Sequence, residues 1–135
     1  MKVLLDTHVW IWWVLGSERL SPPERRGLDQ LAVAGGCGLS AMSLWEAQLL
    51  HSKARLSLDR PFAPWLRLAA APGVVAVLPL DVDVVVALDQ LPESFHGDPA
   101  DRLIVATALS HGLPLATHDS AIRASRVIPI WEDFA

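Results

Sequence analysis

The sequence predicts an α/β fold whose central sheet is mostly parallel and is covered by helices on both faces. Apolar segments of about ten residues follow one another along the chain, with proline and glycine between them. Strand-like runs alternate with helical ones, an order that favours parallel strands joined by crossover helices. No repeat, low-complexity tract or linker interrupts the sequence, so we expect a single domain over residues 1–135.

The chain begins with a strand and two helices. Residues 2–6 form a short buried strand that ends in an acid, and residues 7–15 continue as a tryptophan-rich helix that stops at Gly16. Ser21 begins a capping box with proline in the first turn, so a second helix is expected to run to about Ala34.

The middle of the chain repeats this arrangement. The predicted elements are a strand over residues 37–40, helices over 41–53 and 61–71, and a strand over 74–78. Pro72-Gly73 closes the second of these helices, and Asp81 caps a further helix to about Leu91.

The best-defined helix begins at Asp98. This residue has the N-cap position, Pro99 follows at N1, Asp101 lies at N3 and Gly112 comes just past the end. The remaining predicted elements are a strand over residues 113–117, a short helix over 119–124 and a last strand over 127–130.

Composition excludes several classes of protein. The chain carries 11 Lys and Arg against 15 Asp and Glu, and the net charge of −4 argues against electrostatic coating of nucleic acid. The single cysteine, Cys37, excludes an internal disulfide and a cysteine-based zinc site. The apolar runs are too short to span a bilayer, and Asp6 and His8 interrupt the start where a signal peptide needs an apolar core. We therefore expect a cytoplasmic protein without membrane contact.

Acids follow strands near both ends of the chain. Asp6 ends the first predicted strand, and Asp119 follows the strand over residues 113–117. Because parallel strands present their carboxyl ends at one edge of the sheet, both acids are expected on the rim where α/β proteins bind ligands.

Glu46 is a candidate on independent grounds. It shares one face of its predicted helix with Leu49 and Leu50, so a charge lies within an apolar stripe. A buried carboxylate is costly unless it is paired or bound to a metal. The alternative is a glutamate at the margin of the stripe that pairs with Lys53 or Arg55.

Asp98 and Asp101 supply a further acidic position. Both can be explained as helix caps, because N-cap and N3 acids stabilise a helix without any other role. Residues 103–109 contain one polar side chain, Thr107, so we expect the helix to be buried over much of its surface. Its first turn then lies close to the strand ends, which favours Asp101 as a site residue.

Several carboxylates on one rim repel one another unless they take up protons or a cation lies among them. Oxygen ligands without His or Cys suit Mg²⁺ or Mn²⁺ better than zinc, and the five histidines show no zinc-hydrolase pattern. Such a site is best suited to hydrolytic phosphoryl transfer, in which a metal ion activates water and polarises the phosphate.

Hydroxyl and basic side chains adjoin these acids. Thr7, Thr117 and Ser40 either orient a metal-bound water or cap helices, and capping is the expected role of Ser40. Arg102 either meets a phosphate or pairs with the N-cap acid of its own helix. His118 either touches substrate or is simply solvated.

Four segments place the acids within motifs. They are Leu4-Leu5-Asp6-Thr7-His8, Leu39-Ser40-Ala41-Met42-Ser43-Leu44-Trp45-Glu46, Asp98-Pro99-Ala100-Asp101-Arg102-Leu103-Ile104-Val105-Ala106-Thr107-Ala108 and Leu115-Ala116-Thr117-His118-Asp119. In this order and spacing they resemble the motifs of PIN-domain ribonucleases and, more narrowly, of VapC-type toxins of bacterial toxin–antitoxin modules. The resemblance covers essentially the whole chain.

The resemblance implies a Mg²⁺- or Mn²⁺-dependent endoribonuclease with a three-layer, Rossmann-like α/β/α sandwich. It also implies a homodimer that a small VapB-type antitoxin inhibits. By motif, Asp6, Glu46 and Asp119 match the first, second and last acids of the family. Asp101 matches the third, and Asp98 is its alternative or its partner in that role.

The resemblance further matches Thr117 to a hydroxyl that supports the site. Apolar surface for a dimer or antitoxin interface is expected on the tryptophan-rich residues 9–15 and on the helix over 61–71, with Phe62 and Trp65. The path of the RNA stays open, because few basic residues lie near the motifs.

Two other functional classes remain open. In a receiver or phosphatase-like domain one aspartate becomes phosphorylated, and Asp6 at a strand end allows this, but His8 stands where a second acid is needed. In a non-catalytic PIN-fold binding module the chain acts through its partner alone, and the presence of all four acids counts against that reading.

Overall fold

The computed structural model describes residues 1–95 and 97–134. Within these residues the sheet has four strands, which are β1 (Val3–Leu5), β2 (Cys37–Ser40), β3 (Ala76–Leu78) and β4 (Leu115–Ala116). Neighbouring strands all pair in parallel, in the order β3-β2-β1-β4. The parallel sheet predicted from the sequence is therefore confirmed.

Seven α-helices accompany these strands in the described part of the chain. They are α1 (Thr7–Leu15), α2 (Pro22–Val33), α3 (Ala41–Ser52), α4 (Phe62–Ala69), α5 (Val82–Asp89), α6 (Pro99–His111) and α7 (Ser120–Ser125), and a 3-10 turn follows at Glu132–Phe134. No described helix combines the length and the apolar character that crossing a membrane requires.

Strand β1 separates two hydrophobic cores. Val3 and Leu5 pack on the side of α1, α2 and α4, whereas Leu4 packs on the side of α6 and α7. This division follows from the strand period of two, which points successive side chains to opposite faces. Both faces of the sheet are covered, and the predicted three-layer α/β/α sandwich is confirmed.

The strand order reverses beside β1. The chain runs outward from β1 through β2 to β3, and the connection through α5 and α6 then places β4 on the other side of β1. A reversal of this kind leaves a crevice at the carboxyl ends of the strands, where open α/β sheets bind ligands. Residues 6 and 117–119 emerge at this crevice.

Side-chain caps start the helices that border the crevice. Each of α1, α3, α6 and α7 begins at a residue whose side chain accepts a hydrogen bond from a backbone N–H of the first turn, and these caps are Asp6, Ser40, Asp98 and Asp119. At the other end of α6, Gly112 adopts a φ of 63°, the left-handed conformation that a glycine C-cap provides. The predicted start and end of this helix are confirmed.

The predicted strand over residues 127–130 is wrong. This segment, all of which the structure describes, meets the sheet through a single parallel bridge between Ile130 and Leu115. Three other strands are shorter than the predictions over 2–6, 74–78 and 113–117. In the last case Pro114 has no N–H for the ladder, although its carbonyl still accepts from the backbone N–H of Leu4 at 3.0 Å.

The tryptophans are divided between core and surface. Trp10 is fully buried, its indole N–H donates to the Ala69 carbonyl at 2.9 Å, and its ring centroid lies 6.0 Å from that of Trp65. Trp65 is also buried, so it joins α1 to α4, and it lines a groove between these two helices. Trp45, by contrast, is 49% exposed on α3.

Candidate active site

Asp6 lies at the centre of the crevice and is almost completely buried. Its Oδ1 accepts from the backbone N–H of Thr7 at 2.8 Å, and its Oδ2 accepts from the hydroxyl of Thr117 at 2.6 Å. Burial raises the pKa of this carboxyl, the two hydrogen bonds and the nearby His8 lower it, and the negative charge of Asp119 raises it. The net effect is a raised pKa, so burial outweighs the hydrogen bonds.

Glu46 reaches the crevice from α3. Its Oε1 accepts a hydrogen bond from the hydroxyl of Thr7, and because that proton is used there, the hydroxyl of Ser43 donates to Thr7 at 2.8 Å. Burial raises the pKa of Glu46, as do the charges of Asp6 and Asp98, while the Thr7 bond lowers it. The partner of Glu46 is thus a hydroxyl on α1 and not a basic residue near the end of its own helix.

Asp98 and Asp101 differ in their surroundings. Asp98 is exposed, and its Oδ1 accepts from the backbone N–H of Asp101 at 2.8 Å. Asp101 is half-buried, and its pKa is raised to about 7, first by burial and then by the charges of Asp98, Asp6, Asp119 and Glu46. Each of the other four acids of the crevice therefore acts on Asp101.

A cleft of about 380 Å³ opens beside these acids. Its lining includes Asp98, Asp101 and Asp119, so carboxylates from α6 and from the start of α7 share one space. Gly97 also lines it, and a Cβ added there would lie 3.1 Å from the Cβ of Asp101. The absence of a side chain at residue 97 therefore lets the loop approach the acid closely.

The predicted supporting hydroxyls have distinct roles. Thr117 is fully buried, and besides donating to Asp6 its hydroxyl accepts from the backbone N–H of Asp119 at 3.0 Å. It therefore links the acids that follow β1 and β4. The hydroxyl of Ser40 accepts from the backbone N–H of Met42 at 3.1 Å, which is the predicted capping role.

Ser43 is a site residue that the sequence pattern did not single out. It is fully buried and holds the Thr7 hydroxyl that contacts Glu46. Its position could have indicated this role, because Ser43 lies three residues before Glu46 and therefore shares one face of α3 with it.

The two predicted substrate-binding residues lie at the edges of the site. Arg102 donates from Nη1 to the carbonyl of Phe95 at 2.8 Å, so it fastens the loop before α6 and does not pair with the N-cap acid. His118 has its Nε2 2.7 Å from a carboxylate oxygen of Glu24, and its ring centroid is 4.9 Å from that of Phe134. Both side chains are thus held by contacts within the protein.

The acidic side chains face the same crevice, but they do not lie close enough together to coordinate one metal ion. Among residues 1–95 and 97–134, no three His, Cys, Asp or Glu side chains lie close enough together to hold a metal ion. The donor set nevertheless fits a hard divalent cation, because it consists of carboxylate oxygens. Burial and mutual repulsion raise the pKa values of Asp6, Glu46 and Asp101, and a cation would offset the cost of holding these negative charges together.

The chain is similar in sequence to proteins of a known family. Residues 3–127 match the family described as PIN domain. The chain is 41% identical to Ribonuclease VapC22 of Mycobacterium tuberculosis, an alignment that covers 96% of this chain and 98% of the relative.

Solved structures show the same fold at low sequence identity. The structure of VapBC2 from Rickettsia felis bound to a DNA fragment from their promoter has a TM-score of 0.74 at 15% identity, covering 97% of this chain and 98% of that one. The DNA-bound VapBC from Salmonella typhimurium gives 0.69 at 21% identity, with 97% of both chains covered. From the family match, the relative and the fold together, the chain belongs to the PIN-domain family.

Proposed function

We propose that this protein is a divalent-metal-dependent endoribonuclease and the toxin of a toxin–antitoxin pair. The observation that carries the proposal is the convergence of buried and half-buried acids on the crevice between β1 and β4. The 41% identity to a protein named a VapC ribonuclease supports RNA as the substrate.

In this proposal Asp6, Glu46, Asp101 and Asp119 hold Mg²⁺ or Mn²⁺. A bound ion would activate water and polarise the phosphate, which is the chemistry needed for phosphodiester hydrolysis. Asp98 fixes the first turn of α6 by its cap and adds negative charge near Asp101.

The hydroxyls keep the acids in place. Thr117 orients Asp6 and the backbone of Asp119, and Thr7 orients Glu46, so the carboxylates are held before a cation arrives. Asp101 must lose its proton to bind a cation, and with a pKa of about 7 it does so near neutral pH.

A VapB-type antitoxin is the proposed partner. The solved relatives named above are VapBC complexes. A groove of about 540 Å³ lies between α1 and α4, and it is lined in part by Leu15 and Leu68, which are 41% and 57% exposed. Ser57, Asp59 and Arg60 also line the groove, so it offers both apolar and charged contacts to a helix or an extended segment of a small partner.

We also propose a homodimer. Helix α5 leaves Val82, Val85 and Val86 exposed at 77%, 49% and 50%, which is more apolar surface than a helix facing solvent needs. Light scattering on the purified protein tests this assembly, and a monodisperse monomer at high concentration would contradict it.

The activity is tested by RNA cleavage with purified protein. Wild type should cut RNA in Mn²⁺ and stop in chelator, and Asp6→Asn should be inactive while remaining folded. Asp83→Asn is the matched control, because Asp83 is an exposed acid in the first turn of α5, away from the crevice. Cleavage by Asp6→Asn at the wild-type rate would refute the proposal.

The same experiment addresses the other functional classes. A phosphate-accepting aspartate is disfavoured because His8 stands two residues after Asp6, where such a domain needs a second acid. Binding of Mn²⁺ without cleavage of any RNA would favour a non-catalytic binding module.

A further inference from the structure

Three rings form a row that begins beside the acids. The ring centroid of His8 lies 5.8 Å from that of Trp12, and the centroid of Trp12 lies 6.1 Å from that of His118. His8 and His118 are exposed and Trp12 is partly exposed. We call these three residues the aromatic ledge.

The fold places the aromatic ledge at the edge of the crevice. His8 directly follows Thr7, which contacts both Glu46 and Asp6, and His118 stands directly before Asp119. Because β1 and β4 are neighbours in the sheet, the segments after them are adjacent, and Trp12, one helical turn beyond His8, meets His118. The ledge therefore starts where a scissile phosphate would lie.

His118, at one end of the aromatic ledge, is held by contacts with other parts of the protein. The ring of His118 packs on Phe134, which is buried, and its Nε2 pairs with Glu24. Arg123 in turn donates to the carbonyls of Phe134 and Thr117. The His118 ring is thus held in position, and it supports the Trp12 ring beside it.

Positive charge accompanies this surface. The guanidinium carbon of Arg19 lies 5.6 Å from the centroid of the Trp12 ring, and Arg19 is exposed. On the other side of His118 an open cavity of about 800 Å³ is lined by Glu24 and Asp133 as well as Arg123. Carboxylates repel phosphate, so a nucleic-acid backbone that passes the ledge is drawn toward Arg19.

We propose that the aromatic ledge is a base-stacking subsite for single-stranded RNA, in which an unpaired base next to the scissile phosphate stacks on Trp12. Arg19 then contacts a backbone phosphate of the same strand. Aromatic rings beside a cationic side chain are how proteins hold unpaired bases, and a duplex does not offer its base faces for such stacking. The identity of the polymer rests on the proposed function, while the location of the subsite rests on the ring contacts.

Binding is tested with a short, fluorescently labelled single-stranded RNA and the full chain in Mg²⁺. Fluorescence anisotropy is followed in an Asp101→Asn background, so that cleavage does not interfere. Trp12→Leu should weaken binding about tenfold, about 1.4 kcal/mol, and Trp12→Phe should restore most of the affinity. Trp13→Leu is the matched control on the same helix, because the Trp13 indole N–H donates to Asp29 at 2.9 Å, away from the ledge.

A second set of oligonucleotides tests whether weaker binding by Trp12→Leu comes from lost base stacking or from altered folding of the protein. A single abasic nucleotide is moved along the RNA, and one position near the cleavage point should cost about the same tenfold. With Trp12→Leu that position should cost nothing further, because the stacking partner is already absent. In the cleaving protein, Trp12→Leu should raise KM with little change in kcat, and its melting temperature should match that of Trp13→Leu.

The outcomes distinguish this inference from the proposed activity. If Trp12→Leu and Trp13→Leu bind RNA equally, or every abasic position costs the same, the ledge proposal is overturned even if RNA is cleaved. If RNA binding depends on Trp12 but wild type cleaves no RNA, the subsite stands and the activity fails. Unchanged RNA binding with lost association to a co-expressed partner protein would make the ledge a protein interface and overturn the proposal.

Discussion

Replacing Asp101 by asparagine is expected to stabilise the metal-free protein. The pKa of Asp101 rises from 3.8 to about 7 on folding, and at about 1.36 kcal/mol per pKa unit this corresponds to roughly 4 kcal/mol when the group is fully ionised. Solvent screening at a half-buried position reduces the effect to about 2 kcal/mol. Asparagine is uncharged and similar in shape, so it removes this penalty.

The stabilisation depends on pH in a defined direction. The folded-state pKa is higher than the unfolded value, so the folded protein binds more protons and wild type loses stability as pH rises between about 4 and 7. The advantage of Asp101→Asn is therefore largest above pH 7 and shrinks as the pH falls toward 4.

Thermal unfolding in chelator measures the effect. At pH 8, Asp101→Asn should melt roughly 6–10 °C above wild type, and at pH 5 the difference should be smaller. A saturating divalent cation should reverse the order, because a ligand at a hundred times its Kd stabilises only the protein that binds it, by about 2.7 kcal/mol. Asp83→Asn should show none of these changes.

Two results would refute this reasoning. If Asp101→Asn melts at or below wild type at pH 8 in chelator, the acids do not destabilise the metal-free fold. If the difference between the two proteins is the same at pH 5 and pH 8, the penalty does not arise from ionisation of Asp101.

Three further outcomes are expected. Thr117→Val should lower the free energy of unfolding by about 1–3 kcal/mol and reduce cleavage, because Asp6 loses a buried donor, whereas Thr117→Ser should keep both properties. The apparent Mn²⁺ affinity, measured by titration calorimetry, should rise with pH up to about 7, where Asp101 loses its proton, and level off above; a flat profile would contradict this. Trp10→Phe should cost about 2 kcal/mol in denaturant unfolding, since the Ala69 carbonyl loses its donor, and an unchanged midpoint would contradict this.

Much of the fold follows from local signals in the sequence. The helix from Asp98 to Gly112 was predictable because its cap, proline and terminal glycine act within a few residues of one another. The absence of a strand over 127–130 was not predictable, because a short apolar run becomes a strand only if a neighbouring strand continues beside it. Strand β4 has two residues, so the pairing ends after a single bridge at Ile130.

The candidate site was predictable to a different degree at each position. The rule that parallel strands end on one edge was sufficient to bring Asp6 and Asp119 together. The contacts of Thr7 with Ser43 and Glu46 depend on how α1 and α3 pack, and no local pattern encodes that packing. The pairing of His118 with Glu24 is likewise a tertiary contact between distant segments.

The acids that start helices at the crevice have a genetic consequence. Asp6, Asp98 and Asp119 accept their capping hydrogen bonds through an oxygen that asparagine also carries. One transition in an aspartate codon gives an asparagine codon, so a single mutation can remove a charge from the crevice while the helix starts and the outer surfaces stay intact. Under the proposed function, cells that survive an uncontrolled toxin should often carry such a change at Asp6 or Asp119, and these chains fold and still bind their partner but no longer cut RNA.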